Sequence, residues 1–233
     1  LEGCNLSSDY MKQIKEEGMS LTVQSFVDTA RIMLDYLEQK YGEQFVVAGG
    51  SPADMWTSDF MIFAKATTGE HKGERFECYY KLDEDAGKRY CEDGYFALVE
   101  QPVMEQYFQQ VAEESGSQFK VTVCLTGNVR KDWTKEISIE DIKELIREKE
   151  LQLGLSCFAS PNMTDEDFGQ EANNLEQMLE DTGFSMQCSM MRLLSDDIFN
   201  EISTYQDFSN VCNRVNPAED IWDLQYNVSL NYK

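Results

Sequence analysis

The chain has 233 residues, 42% of them hydrophobic, and carries 43 acids against 20 bases for a formal net charge of −23. Its length and apolar content suit one large domain or two small ones with a substantial core. The charge argues against a nucleic-acid partner, which needs clustered Lys and Arg, and against electrostatic docking on an anionic membrane.

Residues 1 to 4, Leu1-Glu2-Gly3-Cys4, follow the Leu-x-Gly-Cys pattern of a bacterial lipobox, in which the cysteine carries the lipid. Glu2 stands where a small residue is usual, and a start at Leu1 rather than Met leads us to expect that something upstream has been removed or omitted. Residues 5–17 are polar and suit a tether, giving residues 1–19 the character of an anchor segment. A membrane is thus expected only through a lipid on Cys4, since no apolar run is long enough to cross a bilayer.

Ser20 can cap a helix to about 41, with Phe26, Ala30, Met33, Leu34, Leu37 and Tyr41 on one stripe and Gly42 as the stop. A short strand over 44–48 is expected to break at Gly49-Gly50-Ser51-Pro52. Alternating runs over 56–66 and 75–82 flank a hairpin loop at 67–73. Residues 83–88 read as a polar turn and 90–99 as a turn leading into a helix. Pro102 then opens that helix, which runs to about 114 and is buried through Val103, Tyr107 and Val111. Phe119, Val121, Val123 and Leu125 alternate as a strand.

Residues 127–135 read as a boundary between a subdomain over 20–127 and one over 128–233. Beyond it Ser138 caps a helix to about 149, residues 151–159 form a strand, and Thr164 starts an acid-first helix that Gly183 stops. Phe184, Met186, Cys188 and Met190 alternate as a strand; Ser195 caps a helical stretch to about 215, with a break near Thr204. From Trp222 to Tyr232 every even residue is apolar and every odd one polar, the pattern of a strand with one buried and one wet face. Such strands imply an α+β protein of mainly antiparallel sheets, wet on one face and packed with helices on the other.

Chemistry is sparse. The seven cysteines include no C-x-x-C pair, and a single histidine, His71, supplies neither a zinc site nor a catalytic dyad; it is expected to be exposed in its loop. Cys78 and Cys91 bracket a turn-rich stretch and are the one pair to test for a bridge, while Cys157 and Cys188 fall on apolar strand faces as free thiols. Unpaired thiols suit the cytosol or a reducing exterior. No phosphate loop or dinucleotide turn is present, so no cofactor is expected. Asp165-Glu166-Asp167 reads as a helix start rather than a calcium loop. Asp83-Glu84-Asp85 with Glu92-Asp93-Gly94 reads as surface charge with room for weak Ca²⁺ binding. No catalytic or metal-ligating residue stands out.

One surface is less bland. The wet faces of the later strands carry Gln152 and Ser156; Ser185, Gln187 and Ser189; then Gln225, Asn227, Ser229 and Asn231. Uncharged amides and hydroxyls in so charged a chain suit a flat hydrogen-bonding face for a protein or glycan, with Gln187, Ser189, Gln225, Asn227 and Ser229 at its centre; short polar residues that merely solvate an open face give the same pattern.

The segment Tyr36-Leu37-Glu38-Gln39-Lys40-Tyr41-Gly42-Glu43-Gln44-Phe45-Val46-Val47 resembles the helix-to-strand start of small uncharacterised lipoproteins of Gram-positive gut bacteria. The likeness covers the first half of the chain and is strongest over 29–47. It implies a secreted, lipid-anchored setting at the outer face of the cell membrane and carries over no functional residue. Three functions are therefore weighed. The first is a non-enzymatic surface lipoprotein with a binding domain. The second is a cytosolic acidic protein that neutralises a basic partner, as immunity proteins do, and the third is a carboxylate-dependent hydrolase.

Overall fold

Phe26, Val27, Ala30, Met33, Leu34 and Leu37 recur at helical spacing and are all buried, which fixes the face that helix α1 (Thr22–Tyr41) turns to its sheet. The computed structural model describes residues 22–50, 59–130, 137–215 and 221–231. Among the described residues six helices and two four-stranded, mostly antiparallel sheets make it an α+β protein. It divides into two compact units, one of Leu1–Val99 with Gly127–Ile137 and one of Glu100–Thr126 with Ser138–Lys233. The stretch near 127 is therefore one of three crossings between units rather than a single boundary.

In the first unit Gly42 ends α1 with φ +68°, a left-handed value that costs glycine nothing. A meander follows: β1 (Phe45–Gly50), β2 (Phe60–Ala66), β3 (Arg75–Asp83) and β4 (Lys88–Asp93), antiparallel throughout in the order β1-β2-β3-β4. Phe45, Val47, Ile62, Ala64, Phe76 and Cys78 alternate on the face packed against α1. Three expectations fail here. The strand β1 does not break at Gly49-Gly50 but runs through both with a register shift. A Cβ on Gly50 would lie 3.1 Å from the Phe26 ring, so the missing side chain lets helix and strand approach. The stretch 90–93 is not a turn but the end of β4, and Cys78 and Cys91 are buried on the core face and form no disulfide.

Helix α2 (Tyr95–Glu114) starts seven residues before Pro102, which lies inside it. The early start has a local cause: Asp93 Oδ1 accepts from the backbone N–H groups of Tyr95 (3.0 Å) and Phe96 (3.2 Å), satisfying donors that a helix start leaves orphaned. The buried stripe is Met104, Phe108, Val111 and Ala112, while Val103 is 44% exposed.

The second unit continues with β5 (Lys120–Gly127), α3 (Ile139–Arg147), β6 (Leu151–Ala159), α4 (Asp165–Thr182), β7 (Met186–Leu193), α5 (Asp196–Glu201), α6 (Tyr205–Arg214) and β8 (Trp222–Leu230). Its sheet runs β5-β6-β7-β8, with β6 and β7 parallel across the α4 crossover and β8 antiparallel to β7. Ser138 and Thr164 cap α3 and α4 through side-chain oxygens, as their positions in the sequence predict; Ser195 stands before α5 without a side-chain cap bond. The end of α3 is a Schellman motif, Lys149 N–H to Ile146 C=O and Glu150 N–H to Leu145 C=O. Its left-handed position is held by Lys149 at φ +64°, where glycine is usual.

Three features of this sheet differ from a simple two-faced one. Its second face is not uniformly wet: Phe158, Met191, Leu193, Ile202, Val211 and Ile221 form a separate core there under α5 and α6. Trp222 joins that core, because the register shifts at Arg192/Leu193 and leaves Asp223 as the extra residue, so Trp222 faces away from Leu224. The guanidinium of Arg192 holds Asp223 through both carboxylate oxygens at that point. Finally, the β5 edge is sealed by side chains. The N–H groups of Val121, Val123 and Leu125 donate to Gln109 (2.9 Å), Glu105 (3.4 Å) and Gln101 (3.5 Å), three acceptors spaced one helical turn apart on α2.

Candidate functional site

The densest polar cluster lies in the first unit and is closed to solvent. Asp93 is 0% exposed and the Lys40 side chain 2%, with Lys40 Nζ 2.9 Å from Asp93 Oδ2. Tyr36 donates to Oδ2 (2.8 Å) and Tyr41 to Oδ1 (2.7 Å), so with the two N–H groups at the start of α2 the carboxylate accepts five hydrogen bonds. Lys40 also reaches the Tyr36 hydroxyl (2.8 Å) and the Val129 carbonyl (3.4 Å), and Val129 pairs with the Asp93 backbone. A buried charge is tolerated only when paired and hydrogen-bonded, and both conditions are met. Burial and the neighbouring Asp93 push the Tyr36 and Tyr41 phenols well above their ordinary range, and burial does the same to the Cys78 thiol. These groups hold helix, sheet and the 127–130 segment together, and the ion pair is sealed from solvent rather than open to substrate.

This cluster was missed from the sequence because Glu92-Asp93-Gly94 reads as surface acid. The usable signal was Asp93 two residues before the aromatic pair Tyr95-Phe96, with Tyr36 and Lys40 one turn apart on α1. The other acids near it are separated in use: Asp83 pairs with Arg130 (2.9 Å) and Glu92 with Lys81. Among the described residues no group of three or more His, Cys, Asp or Glu is placed to hold a metal ion. His71 is half-buried rather than exposed, its ring edge-on to Tyr95 at 5.8 Å.

The open polar face lies in the second unit, and the structure brings its five central residues together. The register pairs Gln187 with Ser229, Ser189 with Asn227, and Met191 with Gln225. Ser229 Oγ donates to Gln187 Oε1 (2.7 Å), Ser189 Oγ to Asn227 Oδ1 (2.8 Å), and Gln225 Nε2 to the same Asn227 oxygen (3.1 Å). These bonds fix the side chains and leave Gln187 Nε2, Asn227 Nδ2 and Gln225 Oε1 without partners among the described residues. Gln187, Gln225, Asn227 and Ser229 are exposed and Ser189 half-buried. Beside Gln187 the neighbouring strand presents Gly154, where a Cβ would meet nothing closer than Cys124 at 3.8 Å, so the face is flat there. At the strand ends Gln152, Ser185 and Gln187 line a recess of about 310 Å³ with the exposed Lys149. Ser156 is half-buried, and Ser185 turns its hydroxyl to the Leu230 carbonyl (3.3 Å). Half-buried Trp222 stands at the far end.

Cys4 lies outside the described residues, as does Tyr232. Among the described residues no helix is long and apolar enough to cross a membrane. No family model and no curated protein matches the chain. A DUF5037 family protein from Ruminococcus gnavus ATCC 29149, known from a crystal structure, is similar at 19% sequence identity. The match covers 72% of this chain and 76% of that one with a TM-score of 0.35, and at that score it carries no argument.

Proposed function

We propose that the protein is a non-enzymatic binding module, carried on the outer face of the cell membrane by a lipid on Cys4, whose β7–β8 amide face takes an uncharged hydrogen-bonding partner, a protein or a glycan. The observation that carries this reading is the ordered ladder of Gln187, Ser189, Gln225, Asn227 and Ser229. Its side chains are pinned by one another, so little rotamer freedom remains to be lost on binding, and free amide groups point outward. A neighbouring partly buried tryptophan adds the apolar contact that such sites use.

The test is a glycan array and a panel of surface-protein extracts probed with the labelled full chain and with a Gln187→Arg/Asn227→Arg variant. Both positions are exposed, so the variant should keep its fold and lose capture. Capture that is unchanged in the variant would sink the reading. Anchoring is read separately: the native protein from the membrane fraction should carry a diacylglycerol-sized mass increment that Cys4→Ala abolishes. The net charge of −23 favours a second reading, a cytosolic acidic protein that neutralises a basic partner. An unlipidated soluble protein whose capture of a basic partner weakens steeply with salt would select it.

A further inference from the structure

The two edges of the second sheet are treated differently. The β5 edge is covered by Gln101, Glu105 and Gln109 of α2. The β8 edge has no such cover: β8 is the last strand of its sheet, and beyond its bonds to β7 the described residues offer its outer N–H groups no partner. The bulge that would turn an edge strand away is confined to Asp223, and from Leu224 to Leu230 the pairing with β7 is regular. Between Trp222 and Asn231 the one charged residue is Asp223, and Arg192 neutralises it. An edge without lysine, proline or net charge, in a chain of net charge −23, lacks the devices that keep edges apart.

We propose that this edge pairs with the same edge of a second copy, β8 against β8 in antiparallel sense about a twofold axis, joining two four-stranded sheets into one of eight strands. Three observations select a second copy as the occupant. A twofold antiparallel pair is self-complementary in backbone hydrogen bonds, since each strand offers the other the same donors and acceptors. In any register that sets even residues opposite even ones, Gln225, Asn227 and Ser229 meet their counterparts on one face. Leu224, Val228 and Leu230 meet theirs on the other, so polar faces polar and apolar faces apolar. The paired strands themselves also bring no unneutralised like charges together, the acid that touches β8, Glu176, being the α4 residue that accepts from the Tyr226 hydroxyl (2.6 Å). The amide ladders of the two copies would then form one continuous face. The pairing stands whether or not that face binds a partner, because mass and amide exchange read the edge while capture reads the side chains.

Sedimentation equilibrium of the full chain, from dilute to millimolar, is expected to show monomers in exchange with dimers. Hydrogen exchange at alternate β8 amides is expected to slow about tenfold or more in the concentrated sample and not in the dilute one. Neighbouring strand residues direct their N–H groups to opposite edges, so of Tyr226→Pro and Asn227→Pro one removes an outward donor and spares the β7 pairing. Whichever variant keeps the circular dichroism of the parent must lose the dimer. A chain that stays monomeric throughout overturns the proposal. A dimer whose β8 amides exchange alike at both concentrations overturns it as well, as does a dimer that survives the folded proline variant. If neither variant folds, the exchange data decide alone.

Discussion

Removing either charge of the Lys40–Asp93 pair should destabilise the first unit far more than a surface substitution. Lys40→Met keeps the length and apolar stem of the side chain, which is 2% exposed, and leaves a fully buried carboxylate without its cation. Asp93→Asn keeps an oxygen for Tyr41 and for the N–H groups of Tyr95 and Phe96 but turns an amide NH₂ toward the Lys40 ammonium and the Tyr36 hydroxyl. Removing one partner of a buried pair costs about 3–5 kcal/mol, and that is the loss expected of each variant. With both changes no charge remains buried, so the double variant should fall short of the sum of the singles by about 2–3 kcal/mol. Urea unfolding read by hydrogen exchange in β1 to β4 measures the three losses for this unit without mixing in the second. A single-variant loss within about 0.5 kcal/mol, the range of ordinary surface substitutions, would refute the reasoning. Additive losses in the cycle would refute it too.

Three further outcomes follow from the same structure. Lys149→Gly should raise the stability of the second unit by about 1 kcal/mol in thermal unfolding, because the left-handed position at the end of α3 strains any residue with a Cβ; a loss would mean that the lysine side chain contributes more than its backbone costs. Burial raises the Glu105 carboxyl, although the N–H groups of Tyr205 and Val123 pull it down. A raised acid favours folding below its unfolded pKa and loses that contribution as pH rises through the folded value. Glu105→Gln keeps an acceptor for the β5 edge and should therefore flatten the decline in stability above the ordinary carboxylate range, as seen in urea midpoints taken from acid to neutral pH. Tyr36 and Tyr41 are raised by burial and by Asp93, so they stay protonated in the fold after the unfolded chain has begun to ionise. Together they contribute about 2.7 kcal/mol per pH unit, twice the 1.36 of a single group, to the fall in stability above pH ~10, beside the contributions of the raised Tyr95 and Cys78, and Tyr36→Phe should lower the slope by about 1.4 kcal/mol per pH unit.

Much of the second unit was legible in its sequence, because its signals are local. Ser138, Thr164 and Gly183 mark helix ends through bonds to their own neighbours, and the alternation after Leu224 sorts β8 into two faces by pleat alone. The five amide and hydroxyl residues were findable for the same reason. What escaped depends on partners distant in sequence. Asp93 looks like loop charge until Lys40, Tyr36 and Tyr41 arrive from more than fifty residues away. That cluster in turn starts α2 early and leaves Pro102 inside the helix. Trp222 obeys the alternation in sequence and breaks it in space, because a single bulged residue inverts everything on one side of it. That Cys78 and Cys91 form no disulfide follows from strand pairing, which places them on the core face beside Asp93 rather than around an exposed turn.

The threefold crossing between units also orders events during synthesis. When the ribosome has released Val99, the first unit still lacks Gly127–Ile137, and with it the Val129 strand bridge that closes over Asp93. By the time that segment emerges, α2 and β5 of the second unit are already outside, with the strands they pair against unmade. The nascent chain must therefore hold a half-built sheet, its α2 acceptors covering the one edge of β5, while the other unit is completed. Cutting the gene at 127 splits both units, whereas a cut at 99 leaves all of the second unit in the downstream piece and strips the first of its returning segment, so separate expression of the first unit would require that segment to be rejoined to it through a linker.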